Sequence, residues 1–258
     1  MTEARGRASA LVTGASRGIG LGIAEMLARR GTALTITARD EERLADVSGH
    51  LRELGAPEVV PVAGDLADPA LPDVLGKRHA EAFGDLGCLV LNAGVGTAAP
   101  IGDLPEARLD KTLAVNLRAP VLLLQRLLPL LRAADRARVV VLSSISGVYA
   151  EPGLAAYGAT KAALNSLVET LNAEESGNGV SATAIAPRLR RHRHVGLDPR
   201  PHPTRRDDPG ERLGHARGGA GVAERPVGGA PDTDHPRWDV GLRSLNSSEG
   251  RREPCGAT

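Results

Sequence analysis

Ala10-Leu11-Val12-Thr13-Gly14-Ala15-Ser16-Arg17-Gly18-Ile19-Gly20 is the stretch that decides the fold. A short apolar run ends in a glycine-rich turn and passes into residues 19–30, where Ile23, Met26 and Leu27 recur at helical spacing. Glycine lets such a turn take positive φ and lets a phosphate approach the backbone. The helix that follows offers free N–H groups and a positive dipole end. The spacing is Gly-x3-Gly-x-Gly rather than the Gly-x-Gly-x2-Gly of the commonest dinucleotide fingerprint. Taken alone it is a moderate signal, with a plain strand-to-helix turn as its alternative.

Working outward, the same alternation repeats. Gly31 stops the first helix and residues 34–37 read as a second strand. A polar-faced helix over 41–54 closes at Gly55, and Val59, Val60 and Val62 mark a third strand. A helix reaching Phe83 leads to a strand at 88–91, a long helix over 104–132 to a strand at 139–142, and a helix over 157–175 to a strand at 180–185. Short apolar strands without polar alternation, separated by helices, predict an α/β fold. Its sheet is doubly wound and mostly parallel, with helices on both faces in the Rossmann-like manner.

Composition narrows the function classes. The chain has 258 residues and a net charge of +1, which argues against a surface built to grip nucleic acid. Two cysteines, Cys88 and Cys255, exclude a disulfide-stapled module and a cysteine-rich zinc site. Aromatics at 2% leave an all-β fold short of strand-packing residues. Residues 1–10 lack a signal-peptide core, and the apolar run 121–131, broken by Gln125 and Arg126, is too short to cross a bilayer. These features predict a soluble cytoplasmic protein bound to no membrane and no nucleic acid.

Further motifs follow the strands: Asp65-Leu66 the third, Asn92-Ala93-Gly94 the fourth, with Ser144, Tyr157 and Lys161 downstream. Together they resemble the short-chain dehydrogenase/reductase family of the classical type, over residues 8–187. Tyr157 and Lys161 fall on one helix face. A free tyrosine titrates near ~10, and a neighbouring ammonium lowers that value. Ser144, at a strand's C-terminal end, can donate to a carbonyl oxygen where negative charge develops; Ser143 is its rival for the role. Asn116 sits mid-helix, where asparagine is unfavourable, either facing water or serving function. The resemblance implies catalytic roles for Asn116, Ser144, Tyr157 and Lys161, with Asn116 holding a water that links Lys161 to solvent. It implies dinucleotide contacts from Gly14, Ser16, Arg17, Gly18, Ile19, Gly20, Arg39, Asp65, Leu66, Asn92, Ala93, Gly94, Val115, Tyr157, Lys161 and Pro187. It also implies a small carbonyl or alcohol substrate and a homodimer built on the long helices. Ala38 stands where NAD-preferring members carry an acid for the ribose 2′-hydroxyl. With Arg17 and Arg39 facing that ribose, the expected cofactor is NADP(H). The plain alternatives are a solvated Arg39 opposed by Asp40, a helix-capping Asp65 and a turn-forming Asn92.

After Pro187 the composition breaks. The 71 residues 188–258 hold 14 Arg, no Lys, 8 Pro and 11 Gly, with five of the seven histidines and only five Leu and four Val. So few core formers predict a largely disordered tail beside a catalytic domain at 1–187. The histidines lack a metal-ligand context, since cations flank them. Family members continue Pro-Gly, an apolar pair and Thr-x-Met where this chain has Arg188-Leu189-Arg190-Arg191-His192-Arg193-His194-Val195. Shifted by one base, His192 before an Arg193 codon starting with C yields only Thr or Ile. His194 before Val195 yields only Thr or Met. The expectation is a change of reading frame at Pro187–Arg188, with loss of the substrate loop; the competing explanation is a genuine basic tail for an acidic partner or nucleic acid, against which stand the ten acidic residues scattered among its arginines. A catalytically impaired nucleotide-binding protein of the same fold is the functional alternative.

Overall fold

The strand-and-helix alternation is realised in full. The computed structural model describes residues 8–96 and 98–187. Within them β1 (Ser9–Thr13), β2 (Ala33–Ala38), β3 (Val59–Ala63), β4 (Cys88–Leu91), β5 (Ala137–Leu142) and β6 (Val180–Ile185) form one sheet. Its order is β3-β2-β1-β4-β5-β6, and every neighbouring pair is parallel. Parallel neighbours need crossovers. These are α1 (Gly18–Arg29), α2 (Glu41–Glu53), α3 (Leu71–Phe83), the pair α4 (Glu106–Leu113) and α5 (Ala119–Ala133), and α6 (Ala155–Glu175). The order reverses direction between β1 and β4, which opens a crevice at the strands' C-terminal ends.

Side chains alternate across the sheet, so each strand feeds two cores. Leu11, Leu89, Val139 and Val141 pack on one face against Leu75 of α3, Leu123, Leu127 and Leu131 of α5, and Leu164 and Val168 of α6. Ala10, Val12, Leu34, Ile36 and Val90 pack on the other against Ala24 and Ala28 of α1 and Leu44 and Leu51 of α2. Each fully buried leucine stabilises the fold by about 1.5–3 kcal/mol relative to exposure. Pro61 fits because β3 lies at the sheet's edge, where a missing N–H costs little.

One expectation changes. The long helix is interrupted by a π-turn at Ala114–Arg118, although chain direction is kept. The segment 106–133 contains a stretch long and apolar enough to cross a bilayer by length and composition alone. Its stripe of Leu123, Leu127 and Leu131 is buried in the core instead. The tail from residue 188 onward and its reading-frame question lie outside the described residues.

Polar groups tie the layers together. Arg132 Nε of α5 donates to Glu175 Oε2 of α6 at 2.8 Å. That bond, with a further one from Asn178, holds the Glu175 carboxyl down to about 2. On α3, the fully buried His79 has Nδ1 2.8 Å from Thr35 Oγ1 and Nε2 3.0 Å from the Asp85 carbonyl. A carbonyl only accepts, so Nε2 carries the proton and the Thr35 hydroxyl donates to Nδ1. Burial outweighs the pull of Asp85 and holds the imidazole below its ordinary pKa. A folded value below the unfolded one gives stability that is full above the unfolded pKa of ~6.5 and declines as pH falls through it. Urea unfolding should accordingly show stability falling from about pH 7.5 to about pH 5, with His79 contributing up to about 1.4 kcal/mol per pH unit. His79→Gln should flatten that slope; an unchanged slope would remove His79 from the account.

Candidate active site

The crevice holds a cavity of about 700 Å³. Of the residues expected to contact a dinucleotide, all but Gly20, Tyr157, Lys161 and Pro187 line it. Gly14 and Gly18 take φ of 66° and 60°, the left-handed region that the turn requires. Gly20 serves close packing instead: a Cβ there would overlap the Gly14 carbonyl and the Asn92 amide. Asn92 is a brace, its Nδ2 donating to Thr13 O at 3.0 Å and Gly14 O at 3.2 Å. Thr13 Oγ1 completes the joint by donating to Val90 O and accepting from the amides of Asn92 and Ala93.

Asp65 lines the cavity, and its Oδ1 accepts from the Ala67 amide at 3.0 Å. It therefore caps the turn after β3 and not α3, which starts later at Leu71. Lys111 Nζ stands 4.0 Å from its other oxygen. Lys111, Thr37, Gly64 and Val95 are lining residues that the sequence reading missed. Thr37 Oγ1 is buried and has no hydrogen-bond partner among the described residues. Each carried too common a pattern to stand out.

At the end of β2, Ala38 leaves room and Arg39 and Arg17 face the opening; neither arginine has a protein partner among the described residues. Asp40 is engaged as the N-cap of α2, accepting from the Arg43 amide at 3.0 Å. A recess of about 380 Å³ is lined by Ser16, Arg17, Arg39, Asp40 and Arg43.

At the other end, Ser143 and Ser144 separate in role. Ser143 Oγ donates to the Lys161 carbonyl at 3.0 Å and is spent on packing. Ser144 caps the 3₁₀ turn Ile145–Gly147 by accepting from the Ser146 amide. Its hydroxyl also acts on the Tyr157 hydroxyl, favouring the ionised phenol. The turn sits hard on α6: a Cβ on Gly147 would stand 2.7 Å from the Lys161 carbonyl carbon, and one on Gly158 2.7 Å from the Ser146 carbonyl. Lys161 Nζ lies 5.6 Å from the Tyr157 ring centroid and donates to Leu142 O at 2.6 Å. Burial lowers Lys161 to about 8. Burial raises Tyr157 above the ordinary phenol value, with the Ser144 hydroxyl working against it and the Glu151 carboxylate with it. In the free chain, then, Tyr157 is a neutral phenol, and the expected depression by Lys161 is not among its causes. A Cβ on Gly94 would stand 3.6 Å from Lys161 Nζ and 3.4 Å from Asn116 Oδ1, so the cavity's far wall abuts both groups.

Asn116, fully buried in the π-turn, accepts from the Val95 amide at 2.8 Å and donates to Val95 O at 2.9 Å and Thr160 Oγ1 at 3.2 Å. Its side chain thus clamps the loop after β4 to α6. Asn116→Ala should cost about 1–2 kcal/mol by leaving the Val95 groups unpaired, measurable by urea unfolding; unchanged stability would mean the clamp is idle.

The sequence matches a family model described as short chain dehydrogenase over residues 8–191. It is 37% identical over 198 residues to a rhamnolipids biosynthesis 3-oxoacyl-[acyl-carrier-protein] reductase of Pseudomonas aeruginosa, covering 74% of this chain and 77% of that protein. It is 33% identical over 178 residues to an uncharacterized oxidoreductase of Staphylococcus epidermidis, covering 69% and 76%. A crystal structure of a putative short-chain alcohol dehydrogenase from Sinorhizobium meliloti superposes with a TM-score of 0.69 at 33% identity, covering 75% of this chain and 76% of that one. An alcohol dehydrogenase from the archaeon Thermococcus sibiricus, complexed with 5-hydroxy-NADP, gives 0.67 at 32% identity, covering 71% and 77%.

Proposed function

The chain belongs to the short chain dehydrogenases, a family of oxidoreductases, and from that premise we propose an NADP(H)-dependent enzyme that interconverts a carbonyl and a secondary alcohol. The observation that carries the reading is the meeting of Ser144, Tyr157 and Lys161 where the cavity reaches Gly94. The dinucleotide, when bound, supplies or receives the hydride. Gly14, Ser16, Gly18 and Ile19 would hold its phosphates, Asp65 and Leu66 its adenine, and Asn92, Ala93, Gly94 and Val115 the span toward Lys161. Tyr157, a neutral phenol, gives its proton to the substrate oxygen as charge develops there, and Ser144 donates to the same oxygen. Lys161, charged below about 8, stabilises the phenolate left behind. A proton returning from solvent past Asn116 restores it.

The preference for a 2′-phosphate rests on charge. Ala38 supplies no acceptor for a hydroxyl, Arg17 and Arg39 have no protein partner among the described residues, and Asp40 is committed to its helix cap. Two guanidinium groups match a phosphate in bidentate fashion. The Thermococcus neighbour's ligand supports the same choice. A cytoplasmic homodimer through α4 and α5 belongs to this reading, since Leu113 and Val121 on those helices are 40% and 42% exposed.

A second reading, a nucleotide binder impaired in catalysis, is favoured by the departure after Pro187, because the family match ends at residue 191. We attribute that departure to a change of reading frame. An intact single frame through codon 188 on resequencing would end that idea.

The decisive assay is carbonyl-dependent NADPH oxidation over a panel of ketones and aldehydes, with a frame-restored protein run alongside. Tyr157→Phe should lower the rate by about 100-fold or more while NADPH binding, followed by fluorescence, persists. Full activity in that variant would sink the proton-donor assignment. NADPH binding by this chain without turnover, beside an active frame-restored protein, would select the second reading. NADPH should outperform NADH by at least about tenfold, and Arg17→Ala with Arg39→Ala should erase the difference.

A further inference from the structure

Arg43 plays no part in the reaction proposed above, yet it is the side chain that joins α2 to the glycine-rich loop. Its Nε donates to the Ser16 carbonyl at 2.9 Å, and its own amide donates to Asp40 Oδ1 at 3.0 Å. One residue thereby ties together the two elements that line the recess shared by Arg17 and Arg39, and its amide engages one oxygen of Asp40, which lines the same recess. A guanidinium has five N–H donors in a rigid fork. With Nε committed, the two terminal amino groups of Arg43 have no protein partner among the described residues, and Arg43 itself lines the recess. Three guanidinium groups and a single carboxylate line one opening, and that excess of positive charge matches a dianionic phosphomonoester.

We infer that Arg43 is a third specificity-determining residue for the ribose 2′-phosphate: it holds the loop carrying Arg17 at the right distance from Arg39 and presents its own terminal amino groups to the anion. This inference rests on the NADP(H) reading.

The test is calorimetric binding of 2′,5′-ADP and of 5′-AMP, which differ only in that phosphate, to the full chain and to Arg43→Ala and Arg43→Lys. Wild type should prefer 2′,5′-ADP. Arg43→Ala should weaken 2′,5′-ADP by about tenfold and 5′-AMP by less than about twofold. It should also reduce the dependence of 2′,5′-ADP affinity on salt concentration. Arg43→Lys, which keeps the charge without the fork, should retain the salt dependence and recover only part of the affinity. Equal weakening of both ligands by Arg43→Ala would reduce Arg43 to a loop brace and overturn the inference, as would an unchanged 2′,5′-ADP affinity. Absence of any preference in wild type would instead overturn the NADP(H) reading and this inference together. Far-UV circular dichroism on each variant separates these outcomes from unfolding.

Discussion

The carboxamide of Asn92 is the joint on which the nucleotide end depends. It lies where strand order reverses, and its two N–H bonds reach the carbonyls of Thr13 and Gly14, main-chain groups that β1 can no longer satisfy once it leaves the sheet. Thr13 answers through its hydroxyl, bonding Val90 and the amides that follow β4. The crevice is thus held open by hydrogen bonds between the two strands that border it. Because Gly20 packs against the same carboxamide, the first turn of α1 is located by that joint as well. Replacing any of the three would disturb the others.

A parallel sheet adds a second constraint, since it delivers every strand's C-terminal end to one side. Thr13 pairs with Thr37, Leu91 with Val141 and Leu142 with Ile185, so the loops beyond them emerge at one level. The polar residues after β1, β3, β4 and β5 therefore become neighbours although far apart in sequence. The chemical end is tightened further by glycine: Gly147 and Gly158 let the serine-bearing turn rest on α6 with no side chain between. The close approach of Ser144 to Tyr157 is a product of backbone contact.

How much of this was legible follows from the physics of each signal. Strands and crossovers announced themselves because buried parallel strands are continuous apolar runs and the helices end at Gly31 and Gly55, whose φ of 73° and 112° only glycine adopts freely. The lining of the cavity was legible where glycine or an Asn-Ala-Gly motif stood at a strand end. What escaped had no local signature. Lys111 and Arg43 look like solvated helix residues until tertiary structure brings Asp65 and Ser16 to them. His79 sits on a polar-looking helix, and only the fold reveals Thr35 beneath it. Asn116 drew attention as an odd helix residue, yet its clamp on Val95 depends on a π-turn that no propensity foretells. Ser143 and Ser144 were adjacent equals in sequence, and they divide because one points at the Lys161 carbonyl and the other at Tyr157.

The two margins of the sheet are not equivalent. On the β3 side Pro61 removes an amide from the ladder, so that border is a poor template for another strand. On the β6 side, among the described residues, no strand lies beyond Ile185, which is itself 46% exposed. A strand laid along the β3 border would meet a gap in the amide row, so pairing there could not propagate into a fibril.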